Sequence, residues 1–180
     1  MIVVDFETTG LPRGGNDYMV QPGIVQIGAV KIDDTGIGDV FQSLVNPEKT
    51  DWSERAIEIH GITPERVARE PTFFEVFKGF AEFCRGSETW IGYNNKFDRD
   101  ILHWQLQRYG FERNFPWPLK EVDVMQIARR KLAGAGKRGN KQWKLIDAYK
   151  EVFGKSFEGA HDALGDCKAT AELFIEWNKC

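Results

Sequence analysis

The 180-residue sequence has no long uninterrupted run of apolar residues. A helix that crosses a bilayer needs about 20 such residues, so we expect no membrane span. The apolar start, residues 1–4, meets Asp5 and Glu7 before it reaches the roughly 7–15 residues of a signal peptide's hydrophobic region. We therefore expect a cytoplasmic protein.

Cysteine is also scarce, with three residues, no CxxC pair and no spacing typical of a metal site. This pattern is typical of reduced thiols in a reducing compartment. A large basic excess is absent too, because 24 Lys and Arg face 27 Asp and Glu, for a net charge of −3. This charge balance argues against a protein that binds duplex DNA nonspecifically through a basic surface. It does not exclude enzymes that act on nucleic acids, since bound cations can neutralise an acidic site.

The chain does contain enough apolar residues, 42%, for one sizeable core, and we predict a single domain over residues 1–180. β-Branched and apolar stretches predict five strands, at 2–6, 24–30, 39–45, 89–92 and 121–124, the second and third forming a hairpin around a turn at 33–36. Helical periodicity or capping residues predict helices that begin after Ser53, Thr63 and Thr72, and others at 97–109, 123–132, 144–153 and 162–177. Strands that alternate with helices indicate an α/β fold.

Two acids in the first predicted strand are unexpected. Asp5 and Glu7 are two residues apart, so both point to the same face of the strand. An unpaired carboxylate in an apolar setting costs several kcal/mol or becomes neutral, so dry core is excluded for an ionised pair. A strand end that emerges into solvent is the ordinary alternative.

Two further acids lie on inward-facing helix stripes. Asp98 shares a face with Ile101 and Leu102, and Asp166 is in line with Ala163 and Leu173. The alternative for each is a favourable interaction with the dipole at the start of its helix and no role in a site. Together with Asp5 and Glu7, however, they suit a site for Mg²⁺ or Mn²⁺, in which two ions flank a phosphate. His161, just before the last predicted helix, could take a proton from water there, or be structural.

Three motifs carry a family resemblance. DFETTGL at 5–11, NNKFD at 94–98 and HDALGD at 161–166 resemble the exonuclease motifs of the DnaQ-like DEDDh 3′–5′ exonuclease superfamily. Segments 59–63, 122–130 and 144–154 resemble family sequence between the motifs, so the resemblance spans nearly the whole chain. The most similar subgroup is the proofreading epsilon subunit of DNA polymerase III with its stand-alone relatives.

The resemblance implies an RNase H-like fold, with a central mixed five-stranded sheet flanked by helices. It also implies two Mg²⁺ or Mn²⁺ ions held by four metal-binding acids, with a histidine as general base; the matching residues are Asp5, Glu7, Asp98, Asp166 and His161. Substrate contacts are implied at Thr8, Thr9, Gly10, His60, Asn94 and Phe97, where an aromatic ring could stack on a base. Turn or core roles are the alternative for these six. Tyr93-Asn94 stands where many relatives have His-Asn, which leaves the metal residues unchanged.

A basic segment is notable on an acidic chain. Residues 129–144 contain seven Lys and Arg and no acidic residue, interleaved with glycines. Such a run is usually solvated surface, but beside a phosphodiester site it could steer a nucleic-acid strand.

The favoured function is therefore a metal-dependent 3′–5′ exonuclease that acts on single-stranded or frayed DNA 3′ ends. RNA is the alternative substrate, because sugar choice depends on contacts to the 2′-hydroxyl. A non-catalytic module of a DNA polymerase is the alternative from another class, and the presence of all five motif residues disfavours it. The chain ends soon after the last predicted helix, so we expect a stand-alone enzyme, with polymerase docking on its surface as a second possibility.

Overall fold

A computed structural model describes residues 1–15, 17–132 and 143–179. Its strands are β1 (Ile2–Thr8), β2 (Ile24–Asp33), β3 (Gly36–Leu44), β4 (Thr89–Gly92) and β5 (Lys120–Asp123). Its helices are α1 (Glu54–His60), α2 (Pro64–Val67), α3 (Phe73–Cys84), α4 (Asn95–Tyr109), α5 (Val124–Leu132), α6 (Leu145–Phe153) and α7 (Ala163–Asn178). None of the helices in the described ranges is long and apolar enough to cross a membrane.

The five strands form one mixed sheet in the order β3-β2-β1-β4-β5. Strands β1, β2 and β3 are joined by antiparallel pairing, whereas β1, β4 and β5 run parallel. The predicted α/β class and mixed five-stranded sheet are confirmed.

Alternation along β1 distributes its side chains between the two sides of the sheet. Ile2, Val4 and Phe6 belong to the core cluster that includes residues of α3 and α4, whereas Val3 belongs to the cluster with α5, α6 and α7. Full burial of one such side chain contributes about 1.5–3 kcal/mol, so both clusters hold β1 firmly. Asp5 and Glu7 continue the Val3 side, which is the side that α7 covers.

Several predicted boundaries were wrong by one to three residues. Strand β1 extends through Thr8, so Thr8 belongs to the strand instead of following it. Strand β3 begins at Gly36, because pairing with β2 across a two-residue turn overrides the poor strand propensity of its glycines. Helix α4 begins at Asn95, and β5 spans Lys120–Asp123, so Val124 already starts α5. The 3₁₀ turn Tyr18–Val20 was not predicted.

The predicted helix starts after Ser53, Thr63 and Thr72 are confirmed in position. Thr63 accepts a hydrogen bond from Arg66 N–H, and the Glu75 carboxylate accepts one from Thr72 N–H. Asp162 caps α7 by accepting from Gly165 N–H. Ser53 also precedes a helix, although its side chain makes no capping bond there.

Most of the basic segment at 129–144 lies outside the described residues, which omit 133–142. Of its cationic residues, Arg129, Arg130 and Lys131 lie in the last turn of α5, and Lys144 is the residue before α6. The steering role of Lys137, Arg138 and Lys141 therefore stays a prediction from the sequence.

Candidate active site

Three carboxylates converge beside the sheet. One oxygen each of Asp5, Glu7 and Asp166 lies within 4.8 Å of the others. The first two come from β1 and the third from the first turn of α7, so residues about 160 positions apart form one acidic cluster. A set of close carboxylate oxygens is the donor set that Mg²⁺ and Mn²⁺ prefer, so these residues fit the predicted metal site.

Glycine at position 28 allows α7 to approach the cluster. Gly28 pairs directly with Asp5 across the antiparallel strands, so the two residues face the same side of the sheet. A Cβ atom built at Gly28 would lie 2.3 Å from the carbonyl carbon of Ala163 and 2.6 Å from Leu164 N. The missing side chain therefore lets the first turn of α7 rest on the sheet, and this brings Asp166 to Asp5.

Asp98 reaches the site from the other direction. Its side chain is 2% exposed, and its Oδ1 accepts a hydrogen bond of 3.0 Å from Phe6 N–H. This backbone group is free for it because β1 pairs with β4 only at Ile2 and Val3. The strands then separate, and the start of α4 takes up the position beside β1. Asp98 is not one of the three residues within 4.8 Å. Burial is the main cause that raises the pKa of its carboxyl group, and the Asp5 charge raises that pKa further, so Asp98 interacts electrostatically with the cluster.

Burial and mutual repulsion shift all four carboxyl groups in the same direction. Burial raises the pKa of Asp5 well above its usual range, and the neighbouring Asp166 and Asp162 charges raise it further. Burial, followed by the charges of Asp5, Asp166 and Asp162, raises the pKa of Glu7 to about 9. Burial likewise raises the pKa of Asp166 to about 7. A divalent cation would reverse these shifts, because it stabilises the ionised form.

This cluster makes the metal-free protein sensitive to alkaline pH. In the unfolded chain Asp166 and Glu7 ionise near their ordinary pKa values of 3.8 and 4.5, whereas in the fold they hold their protons to about 7 and about 9. Between these ordinary values and the raised ones the folded state binds more protons than the unfolded chain. The free energy of unfolding therefore falls as the pH rises from 3.8 towards about 9. We predict a lower free energy of unfolding in EDTA at about pH 8.5 than at about pH 5.5, measured by urea denaturation.

A non-ionising variant provides the control. Asp166→Asn should flatten the pH dependence in EDTA, and Mg²⁺ or Mn²⁺ should stabilise the wild type at the higher pH more than the variant. Equal pH slopes for both proteins would contradict the electrostatic description of the cluster.

His161 lies at the edge of this cluster. It is exposed, immediately precedes the capping residue of α7, and its backbone N–H is 3.4 Å from Asp166 Oδ1. Its backbone is left-handed, with φ of +66°, a conformation that costs a non-glycine residue about 1–3 kcal/mol. The surrounding contacts therefore hold His161 in an orientation that it would not adopt by itself.

An apolar pocket adjoins the acidic cluster. Its volume is about 290 Å³, close to the lower end of small-ligand pockets at about 300 Å³. Of the predicted site residues, Glu7, Thr8, Gly10, His60 and Phe97 line it. Glu7 also belongs to the acidic cluster, so pocket and cluster share a wall.

The ring of His60 has a defined tautomer. Its Nδ1 accepts from Ile62 N–H at 3.0 Å, so the proton is on Nε2, which donates to the Thr8 carbonyl at 3.1 Å. Burial lowers the pKa of His60, the hydrogen bond to the Thr8 carbonyl partly opposes this, and the nearby His161 lowers the pKa further, so the net shift favours the neutral ring. His60 therefore joins the end of β1 to the turn after α1 as well as lining the pocket.

The remaining predicted contacts lie elsewhere. Thr9 is fully buried, and its Oγ1 accepts from Gly23 N–H at 3.1 Å, so its side chain serves the fold. Asn94 is exposed with φ of +70°, and its N–H donates to Asp123 Oδ1 at 3.3 Å. Tyr93 donates its hydroxyl proton to the Trp143 carbonyl at 2.7 Å.

Sequence reasoning missed the outer wall of the pocket and the polar network behind His161. The outer wall comes from Leu11 and from residues in and before α1, namely Ser53, Arg55, Ala56 and Ile59. The network comes from Gln26 and Gln42, which both donate to the Asp162 carboxylate. The one available signal was a glutamine within the buried stretch of β2.

A mixed sheet with clustered acids at β1 and α7 has the donor arrangement that two-metal nucleases use. The family model described as Exonuclease matches residues 2–174 of this chain. The chain therefore belongs to the exonuclease family.

Individual relatives agree with this assignment. The DNA polymerase III subunit epsilon-like protein of Rhodobacter capsulatus is 34% identical over 179 residues, which is 97% of this chain and 23% of the relative. Exonuclease X, solved in complex with 5′ overhanging duplex DNA, has 27% identity and a TM-score of 0.67, with 98% of this chain and 89% of that chain covered. The nuclease domain of 3′hExo, a DEDDh family member bound to rAMP, has the same fold, with 23% identity, a TM-score of 0.70, and coverage of 97% and 89%.

The chain is short beside the curated relatives. It spans 25%, 23% and 12% of three of them. Family and fold therefore carry over to this chain, whereas the activities and partners of those longer proteins do not carry over by themselves.

Proposed function

We propose that the chain is a metal-dependent 3′–5′ exonuclease that removes nucleotides from the 3′ end of single-stranded or frayed DNA and releases nucleoside 5′-monophosphates. One observation carries the proposal: Glu7 is part of both the acidic cluster and the apolar pocket. A base held in the pocket therefore has its phosphate beside the carboxylates. The family match over residues 2–174 supports the same activity.

The acids would hold two divalent cations, Mg²⁺ or Mn²⁺. Asp5, Glu7 and Asp166 supply clustered oxygens, and Asp98, held beside β1 by the Phe6 N–H, completes the proposed set. When bound, such ions stabilise the attacking and the leaving oxygen of a phosphodiester. The non-catalytic alternative gives no reason to keep three repelling carboxylates together.

His161 is the proposed general base. A neutral imidazole can accept the proton of the attacking water, typically for a gain of about 10²–10⁴ in rate. His161 is exposed and adjoins Asp166 through its backbone, so water and substrate can reach its ring.

The pocket explains attack at an end instead of within a strand. A cavity of about 290 Å³ suits one nucleobase, and Phe97 in its lining offers a ring for stacking. The backbone of Thr8 and Gly10 would approach the terminal nucleotide, and His60 would hold the Thr8 carbonyl in place. A nucleotide within the strand continues into the polymer on both its 5′ and its 3′ side, and both segments would have to pass through the same pocket opening. A terminal nucleotide has only one such segment.

DNA is the favoured polymer, and RNA is the alternative. Exonuclease X, the neighbour at 27% identity, was solved with duplex DNA, whereas the 3′hExo domain at 23% identity was solved with rAMP. A DNA polymerase is the partner that the name of the Rhodobacter capsulatus relative suggests. We place the enzyme in the cytoplasm as one domain, and its buried free thiols Cys84 and Cys167 are compatible with a reducing compartment.

Matched substrates test the proposal. The protein is incubated with 5′-labelled single-stranded DNA and RNA of one sequence, with Mg²⁺, Mn²⁺ or EDTA. We expect a stepwise ladder on DNA that needs the metal. A ladder on RNA alone would transfer the proposal to an exoribonuclease, and the absence of a ladder on both would favour the non-catalytic polymerase module.

A further inference from the structure

We propose that Gln26 is a positioning residue for the reaction, which acts on His161 through the Asp162 carboxylate. The proposal rests on the proposed role of His161 as general base. It assigns a role in turnover to a strand residue that does not touch the reacting atoms.

The amide of Gln26 holds the start of α7 at two points. Its Nε2 donates to Asp162 Oδ1 at 2.7 Å, and its Oε1 accepts from Ala163 N–H at 3.0 Å. Gln26 is 6% exposed, so these bonds have little competition from water. Since Asp162 and Ala163 are consecutive, one side chain fixes both the capping residue and the first residue of the helix.

His161 is directly attached to this fixed point. Asp162 N–H donates to the Gly159 carbonyl at 3.0 Å, and Asp162 Oδ2 accepts from Gly165 N–H at 3.1 Å. With its neighbour held by these bonds, His161 is kept in the left-handed conformation that orients its side chain. Loss of the Gln26 bonds would let Asp162 turn and let His161 relax towards an ordinary backbone conformation.

A second glutamine supports the first from the surface. Gln42 on β3 also donates to Asp162 Oδ1, at 3.1 Å, but it is exposed, so water can replace it. We therefore expect Gln42→Met to have a smaller effect than Gln26→Met. Because Gln26 also pairs with Glu7 across the strands, the test must separate an effect on His161 from an effect on the metal residues.

The first measurement is steady-state kinetics of Gln26→Met on a short single-stranded DNA with saturating Mg²⁺. Misplacing a catalytic group by about 1 Å can cost about 10²-fold, so we expect kcat to fall roughly 10- to 100-fold with KM nearly unchanged. Gln105→Met is the matched control. Gln105 is 2% exposed and donates to the Pro22 carbonyl, so this variant also removes a buried glutamine hydrogen bond, but away from His161. The control should keep kcat within about threefold.

A double-mutant cycle distinguishes positioning from general damage. In a His161→Ala background there is no base left to position, so adding Gln26→Met should change kcat by less than about threefold. The concentration of Mg²⁺ for half-maximal rate should also match that of the wild type. A fall in kcat as large in the His161→Ala background as in the wild type would overturn the proposal, because the effect would then act through Glu7 or the fold.

A swapped pair covers the case in which Gln26→Met does not fold. Gln26→Glu keeps an acceptor for Ala163 N–H but places a second carboxylate against that of Asp162. The two groups repel each other, so kcat should fall. Adding Asp162→Asn restores a donor and an acceptor in reversed order, and kcat should recover at least threefold, while urea denaturation confirms that both proteins are folded. No recovery in a folded double variant would overturn the proposal. A normal rate for His161→Ala alone would instead overturn the proposed base, and with it this inference.

Discussion

Asp166→Ala and Asp5→Ala are each expected to abolish turnover while leaving the fold intact. Either change removes one oxygen ligand from a cluster whose three members lie within 4.8 Å, so the proposed cations lose a shared ligand. In EDTA the variants should be as stable as the wild type or more stable, because burial and repulsion raise the pKa of both groups and each deletion relieves that repulsion. Single-turnover digestion of a labelled strand and urea denaturation measure the two effects.

A matched acid on the same helix provides the control. Glu176 lies on α7 and pairs only with exposed Lys179 among the ion pairs of the described residues, so Glu176→Ala should keep normal turnover. Near-normal turnover by both cluster variants would remove these residues from the reaction.

His161→Ala should lower kcat by roughly 10²–10⁴, the usual contribution of a general base. Binding of a DNA 3′ end should change little, because the pocket and the acidic cluster are made by other residues. Kinetics across the pH range and fluorescence anisotropy of a labelled strand provide the two readouts.

The chain offers a histidine for comparison. His103 is exposed on α4 and lines a separate surface cavity with Arg99 and Trp117, so His103→Ala should retain full activity. A loss below tenfold for His161→Ala at every pH would exclude His161 from proton transfer.

Local chemistry made much of the fold predictable. The period of two along β1 placed Asp5 and Glu7 on one face, and the helical period placed Asp98 on a buried stripe, where it is 2% exposed. Capping residues such as Thr72 and Asp162 marked helix starts to within one residue, because their side chains bind the first turn directly.

What could not be predicted depends on contacts between distant segments. The need for glycine at position 28 becomes visible only once α7 is packed on β2, where a Cβ atom at this position would lie 2.3 Å from the carbonyl carbon of Ala163. The left-handed backbone of His161 likewise depends on a loop that the sequence pattern leaves open. The same holds for Gln26, since a glutamine in a strand shows its partner only after the helix 136 residues later is in place.

Release of the terminal nucleotide tests the central claim most directly. A single-stranded DNA carrying its label on the last phosphodiester is mixed with wild type, Asp166→Ala or Glu176→Ala, in Mg²⁺ or in EDTA. We predict that labelled nucleoside 5′-monophosphate appears first and only with wild type or Glu176→Ala in Mg²⁺. Release of the label in EDTA or by Asp166→Ala, or its first appearance in internal fragments, would contradict a metal-dependent 3′–5′ exonuclease centred on this acidic cluster.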